Sequence, residues 1–271
     1  NILYVFSRYT SSTYQSIDYV VVDSEGSQLS WVSGTPVDNS YYYLPRYRLE
    51  YQGEDSTHYI FTSFTHAANS NDSYGTLRGF TVTVRKSDNV ITRTANSDLA
   101  YTFNNSTKNN VARLYGGELT FARDKSVYCA VAINGASTST NFTLELTTGT
   151  VNSSYAHANV GTTAIASVYN SYDIQLIKYD DSSANFLLAY QTVTGNTSTG
   201  YVVKKVLVAA DGSHTVTDIT PSGFSQGTGT TQIRGNYVRF IKSEQAGKYL
   251  LTGVTGVTEA RYYKVSYDGS S

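Results

Sequence analysis

The chain has 271 residues, a formal net charge of −1 and 15% charged residues. That length can bury a large core, and so weak a charge excludes partners held mainly by electrostatics, such as nucleic acid or an anionic membrane surface. No stretch approaches the ~20 consecutive apolar residues of a membrane-spanning helix, so no membrane insertion is expected.

Taken in order, the chain reads as short strands punctuated by polar turns. Tyr4-Val5-Phe6 opens the first hairpin, with Ile17 to Val22 as its return strand and a turn at Ser24-Glu25-Gly26. Tyr47 to Tyr51 precede a turn at Gln52-Gly53-Glu54-Asp55. Tyr59-Ile60-Phe61 and Phe80 to Val84 form the next hairpin, followed by Ser87-Asp88-Asn89 and a more polar strand, Val90 to Thr94. Leu119 to Ala122, a turn at Arg123-Asp124-Lys125, Tyr128 to Val131 and Phe142 to Leu146 repeat the plan, with Thr148-Gly149 expected as a turn. Ile174 to Tyr179 and Asp180-Asp181-Ser182 lead to Phe186 to Tyr190, a polar loop, Tyr201 to Val208, the Asp211-Gly212 turn and Thr215 to Ile219. Tyr237 to Ile241, Ser243-Glu244-Gln245, Tyr249-Leu250-Leu251 and Tyr262 to Tyr267 complete the series before Asp268-Gly269. Tyr, Thr and Val suit pleated, half-buried surfaces, and only three prolines interrupt them.

The aromatic openers at 4, 59, 128, 186 and 249 are 55, 69, 58 and 63 residues apart. Short strands repeated at this length are the signature of propeller blades. Arg113 lies 15 residues before Tyr128, as Arg234 does before Tyr249. That register aligns Leu119 with Phe240 and Ala122 with Ser243 without a gap. The expected fold is therefore all-β, a β-propeller of about five four-stranded blades, with a β-solenoid or tandem β-sandwiches as alternatives. One repeat-built domain is expected over 1–271, with blades at 1–40, 41–108, 109–164, 165–228 and 229–271. The count gives three strands in each terminal blade and four in the others. With no Met and no visible signal peptide, the chain is expected to be a processed product or part of something longer.

The run Phe186-Leu187-Leu188, polar loop, Tyr-rich strand and Asp211-Gly212 turn resembles blades of β-propeller modules in phage tail fibres and bacterial surface adhesins. Arg261-Tyr262-Tyr263-Lys264-Val265-Ser266-Tyr267-Asp268-Gly269 is similar to strands of sugar-binding propeller lectins. The resemblance implies ligand binding, usually of glycans, at blade edges or inter-blade clefts.

Among candidate contacts the Tyr41-Tyr42-Tyr43 run comes first, because three successive rings cannot all point inward on a strand. Arg46 and Tyr47 follow it. Arg113 with Tyr115 and Arg234 with Tyr237 occupy equivalent blade positions, where guanidinium groups either brace neighbouring carbonyls or hold acidic sugars. Trp31, the single Trp, is either a packing residue or a sugar-stacking platform. The turn acids Asp23, Asp88, Asp124, Asp180, Asp181, Asp211 and Asp268 read as caps of backbone amides. The strand acids Glu50, Glu118, Glu145 and Asp173 are the carboxylates that a glycosidase would use. His58, His66, His157 and His214 lack metal-ligand spacing, so no metal and no cofactor are expected. Cys129 lies in an apolar run and reads as a buried, inert thiol.

The function expected from these features is a non-enzymatic extracellular recognition module, a carbohydrate-binding adhesin or fibre tip at a cell or virion surface. Its partner would be a glycan or cell-surface receptor. The alternatives are a self-associating structural subunit with Tyr-rich faces and a propeller glycosidase.

Overall fold

The computed structural model describes residues 1–11, 14–33, 46–68, 74–104, 117–134, 141–169, 174–178, 184–194, 197–220, 239–242, 248–255 and 259–266. Among the described residues the chain is all-β, with 18 strands in five sheets. The first sheet holds β1 (Ile2–Ser11), β2 (Tyr14–Val22) and β3 (Gln28–Ser33), and the second β4 (Arg46–Glu54), β5 (His58–Ala68), β6 (Tyr74–Arg85) and β7 (Ile91–Asn104). The third holds β8 (Gly117–Phe121), β9 (Val127–Asn134), β10 (Asn141–Val151) and β11 (His157–Tyr169). The fourth holds β12 (Ile174–Lys178), β13 (Asn185–Thr194), β14 (Thr197–Val208) and β15 (His214–Asp218). The fifth holds β16 (Arg239–Lys242), β17 (Lys248–Thr255) and β18 (Glu259–Ser266).

Each sheet is a meander in chain order, with three, four, four, four and three strands. These are the blade units of a β-propeller, as the aromatic repeat predicts. The described pairings are antiparallel, which rules out a parallel solenoid. No strand crosses over within a sheet, unlike the Greek-key sheets of sandwiches.

The gap-free alignment reappears as register. Tyr128 faces Phe121, seven residues upstream, and Leu119 faces Ala130. Tyr249 faces Lys242, again seven upstream, and Phe240 faces Leu251. Burial follows strand order: Phe186 to Tyr190 in β13 are all buried, whereas β15 and β3 alternate between half-buried and exposed residues. An interior strand has neighbours on both edges and both faces, so an unbroken apolar run is stable there.

Tight turns close one end of the sheets. Asp55 Oδ1 accepts from the Thr57 amide at 2.7 Å, the Thr57 hydroxyl at 2.9 Å and the His58 amide at 2.7 Å. Asp124 takes the Ser126 amide and hydroxyl, and Asp211 those of Ser213. Asn152 takes the Ser154 amide, while Asp23 takes those of Glu25 and Ser27. A short side-chain acceptor followed two residues later by Ser or Thr satisfies the amides that a reversing chain leaves bare.

Two turn expectations shift. Gln52, Gly53 and Glu54 belong to β4, and the chain reverses at Asp55-Ser56-Thr57. Thr148 and Gly149 lie buried inside β10, and the turn comes at Asn152-Ser153-Ser154. Gly149 pairs with Tyr128, whose ring covers it. An aromatic partner supplies the contact that glycine lacks, so a residue that usually punctuates a strand is retained within one.

The chain divides into two compact units. The first comprises Asn1–Leu114 with Tyr155–His157. Its core gathers Ile17, Tyr19 and Val21 of β2, Phe80, Val82 and Val84 of β6, and Ile91 of β7. Each such side chain contributes roughly 1.5–3 kcal/mol when fully buried. Tyr19 donates its hydroxyl to Ser63 Oγ at 2.7 Å, and the Arg93 guanidinium lies 4.7 Å from the Phe80 ring centre. β1 neighbours β4, and β3 neighbours β7.

The second unit comprises Tyr115–Ser154 and Ala158–Ser271. Leu119, Phe121, Tyr128, Leu144, Leu146, Leu176, Phe186 and Leu188 are buried there to 1% exposure or less. β12 neighbours both β8 and β16, so the first strands of consecutive sheets lie side by side, as the inner strands of a propeller do. Between its third and fourth sheets, Thr148 Oγ1 donates to the Gly212 carbonyl at 2.7 Å and accepts from His214 Nδ1 at 2.8 Å. His214 Nε2 then accepts from Thr163 Oγ1 at 3.0 Å.

Candidate functional site

A four-stranded meander begins and ends its path at the same end. The capped turns join the first strand to the second and the third to the fourth. Other segments lead from each sheet to the next. Those inter-sheet segments, 34–45, 105–116, 170–173 and 221–238, contain Tyr41, Tyr42, Tyr43, Arg113, Tyr115, Asp173, Arg234 and Tyr237, all outside the described residues. Arg46 and Tyr47 open β4, opposite His66 and Thr65, with side chains outside the described set.

Trp31 is described. It lies on β3 opposite Val20, which in turn faces Tyr4 on β1. Tyr4 and Trp31 are 50% and 47% exposed, so the two rings flank Val20 on an open face of the first sheet.

The strand acids differ in surroundings. Glu50 is half-buried on β4 directly opposite Thr62, and residues so paired project to one face about 5 Å apart. Thr62 is buried, and its hydroxyl lies 3.4 Å from Nε2 of His157, itself 2% exposed. Gln52, two residues along β4, is also buried, and neither its amide nitrogen nor its oxygen has a hydrogen-bond partner. A carboxylate, a hydroxyl and an imidazole thus lie along this part of the first unit. Burying such groups is unfavourable unless they are paired or put to use. Glu145 is half-buried on β10 opposite Ala132 in the second unit. The side chain of Glu118 lies outside the described residues.

The turn carboxylates behave as caps. The Thr57 and His58 donors hold the Asp55 carboxyl down at about 2. Asp88 is lowered chiefly by Arg85, and Asp211 by Ser213. Such groups stay ionised at neutral pH and are poor proton donors. Among the described residues no three His, Cys, Asp or Glu side chains gather as a metal site would require. Cys129 is fully buried, and burial pushes its thiol far up, so it stays protonated and unreactive. No described helix is long and apolar enough to cross a membrane.

No protein-family model and no curated protein matches the sequence. Solved structures of an exo-β-1,3-galactanase from Phanerochaete chrysosporium do resemble it. Two variants of that enzyme with β-1,3-galactotriose align with TM-scores of 0.39 and 0.42 at 11% identity. The form with galactose aligns at 0.41 and 10%. Each alignment covers 97% of this chain and 60% of the other, so the chain spans well under two thirds of the galactanase. At this identity and similarity no residue role passes from that enzyme to this chain.

As a correction to the non-enzymatic adhesin or fibre tip expected from blade resemblance, low charge and tyrosine content, these aligned structures are of an exo-β-1,3-galactanase. Composition reports a polar, aromatic surface, which a sugar-binding enzyme and a sugar-binding adhesin share. It therefore cannot separate them.

Proposed function

We propose that the chain is a glycan-processing module of the β-propeller type, a glycoside hydrolase in which Glu50 serves as a general acid or base. The observation that carries the reading is the half-buried Glu50 opposite Thr62, whose hydroxyl lies 3.4 Å from the buried His157. Glycoside hydrolysis uses two carboxylates, one protonating the leaving oxygen while the other attacks or activates water. Glu50 is assigned one of these two roles. Tyr41, Tyr42, Tyr43, Arg113, Tyr115, Arg234 and Tyr237 of the inter-sheet segments, and Arg46 and Tyr47 at the start of β4, are candidates for glycan contacts by ring stacking and guanidinium hydrogen bonds.

The test is reducing-sugar release from a polysaccharide panel that includes β-1,3-galactan, β-glucan, xylan and arabinan. Wild type is expected to act on at least one. Glu50→Gln should lose on the order of 100-fold or more in turnover while melting at the wild-type temperature. Full activity in this variant overturns the assignment.

A further inference from the structure

We propose that the first unit carries a second saccharide site, distinct from the catalytic one and located at the capped-turn end. A cleft of about 410 Å³ opens there between the first and second sheets. That volume lies at the lower end of the roughly 300–1,000 Å³ of ligand pockets, a size suited to a mono- or disaccharide. Its apolar wall includes Leu3 and Phe61, and the Tyr59 ring, 40% exposed, supplies an aromatic surface. Its polar groups are Lys86, Asn1 and Asn89.

These polar groups are fixed in place. Lys86 Nζ donates to the Asp55 carbonyl at 2.7 Å, lies 3.4 Å from the Glu54 carboxylate and sits 5.1 Å from the Tyr59 ring centre. Asn89 adopts φ 60°, its amide donates to the Arg85 carbonyl, and its carbonyl accepts from Ser30 Oγ at 2.6 Å. Its side-chain oxygen accepts from Asn1 Nδ2 at 3.0 Å.

Charge decides the ligand class. Lys86 is the charged side chain of the lining and is paired with Glu54, just outside it, at 3.4 Å, so the side chains of the cleft call for neither an anion nor a cation. Two amides, a balanced ion pair and an exposed phenol ring together suit a neutral polyol with one C–H face, which describes a hexose. The argument uses none of the catalytic residues and stands whether or not the chain cleaves glycans.

Trp31 provides a local reporter, since the adjacent Ser30 bonds the Asn89 carbonyl and the chain has a single indole N–H. The experiment titrates galactose, glucose and a β-linked galactobiose against the isotope-labelled chain and follows that resonance. A saturable shift with a Kd on the order of millimolar is expected. Lys86→Met should weaken binding about tenfold or more. Asn89→Gly, which keeps the backbone conformation while removing the amide, should do the same. Turnover on polysaccharide should be unchanged in both variants, so failure of this site and failure of the catalytic reading are distinguishable. A resonance unmoved by every sugar, or variants that bind like wild type, overturns the proposal.

Discussion

Gly149→Ala is the sharpest test of the packing described for the second unit. Gly149 lies within β10, paired with the fully buried Tyr128 of β9. A methyl group there would meet the Tyr128 ring at 2.5 Å and would press still closer on the backbone carbonyl of Ala158 in β11. Side-chain rotation cannot relieve a contact with backbone, so β10 and β11 would have to separate. Overpacking of this kind destabilises by about 1–3 kcal/mol. Against it stands a gain of about 0.4–1 kcal/mol from restricting the unfolded chain, so the steric effect wins. For a chain of this size the net loss corresponds to a fall in Tm of roughly 2–8 °C. Gly161→Ala on β11 is the control, because its nearest neighbour would be the His214 ring at 3.8 Å, an ordinary contact. It should melt at or slightly above the wild-type temperature. Circular-dichroism melts of the three proteins decide the matter, and equal Tm values for the two variants would refute the packing argument.

Tyr19→Phe removes the buried hydroxyl that donates to Ser63 and should lower stability by about 1–2 kcal/mol, read as a reduced urea midpoint with an unchanged slope. Gln52→Met should be neutral or stabilising, because the wild-type amide is buried with both polar atoms unpartnered; a clear loss of stability would show that the amide is paired after all. Acidification should destabilise the protein in two steps. Burial lowers His214 from 6.5, so its contribution is complete above that value and is lost as pH falls through the lowered one. The capped carboxylates Asp55, Asp88 and Asp211 are lowered from 3.8, so theirs persists above that value and fades toward about 2 for Asp55. Urea midpoints from pH 8 to 3 should show both steps, and His214→Gln should flatten the upper one; a wild-type plateau down to pH 5 would contradict it.

Much of the architecture is legible in the sequence because it rests on local chemistry. Four of the five aromatic openers, Tyr59, Tyr128, Phe186 and Tyr249, mark second strands, which are flanked on both edges, whereas Tyr4 lies on the edge strand β1. Asp residues followed two positions later by Ser or Thr mark turns, since the side chain supplies the acceptor that a reversing backbone needs. Gly149 misleads for the opposite reason: its environment is set by Tyr128, 21 residues away in sequence but adjacent in register. The cleft at the capped-turn end leaves no local signal, because Leu3, Tyr59 and Asn89 meet only once two sheets pack. Glu50 is visible as a strand acid, but its proximity to His157 through Thr62 depends on a contact spanning 95 residues.

The central claim, that this chain cleaves glycans, is tested most directly by time-resolved proton NMR of polysaccharide incubated with the purified protein. Growing anomeric signals from a released sugar are predicted with wild type, slowed on the order of 100-fold in Glu50→Gln. An unchanged spectrum with every polysaccharide, or equal rates for the two proteins, would contradict the account.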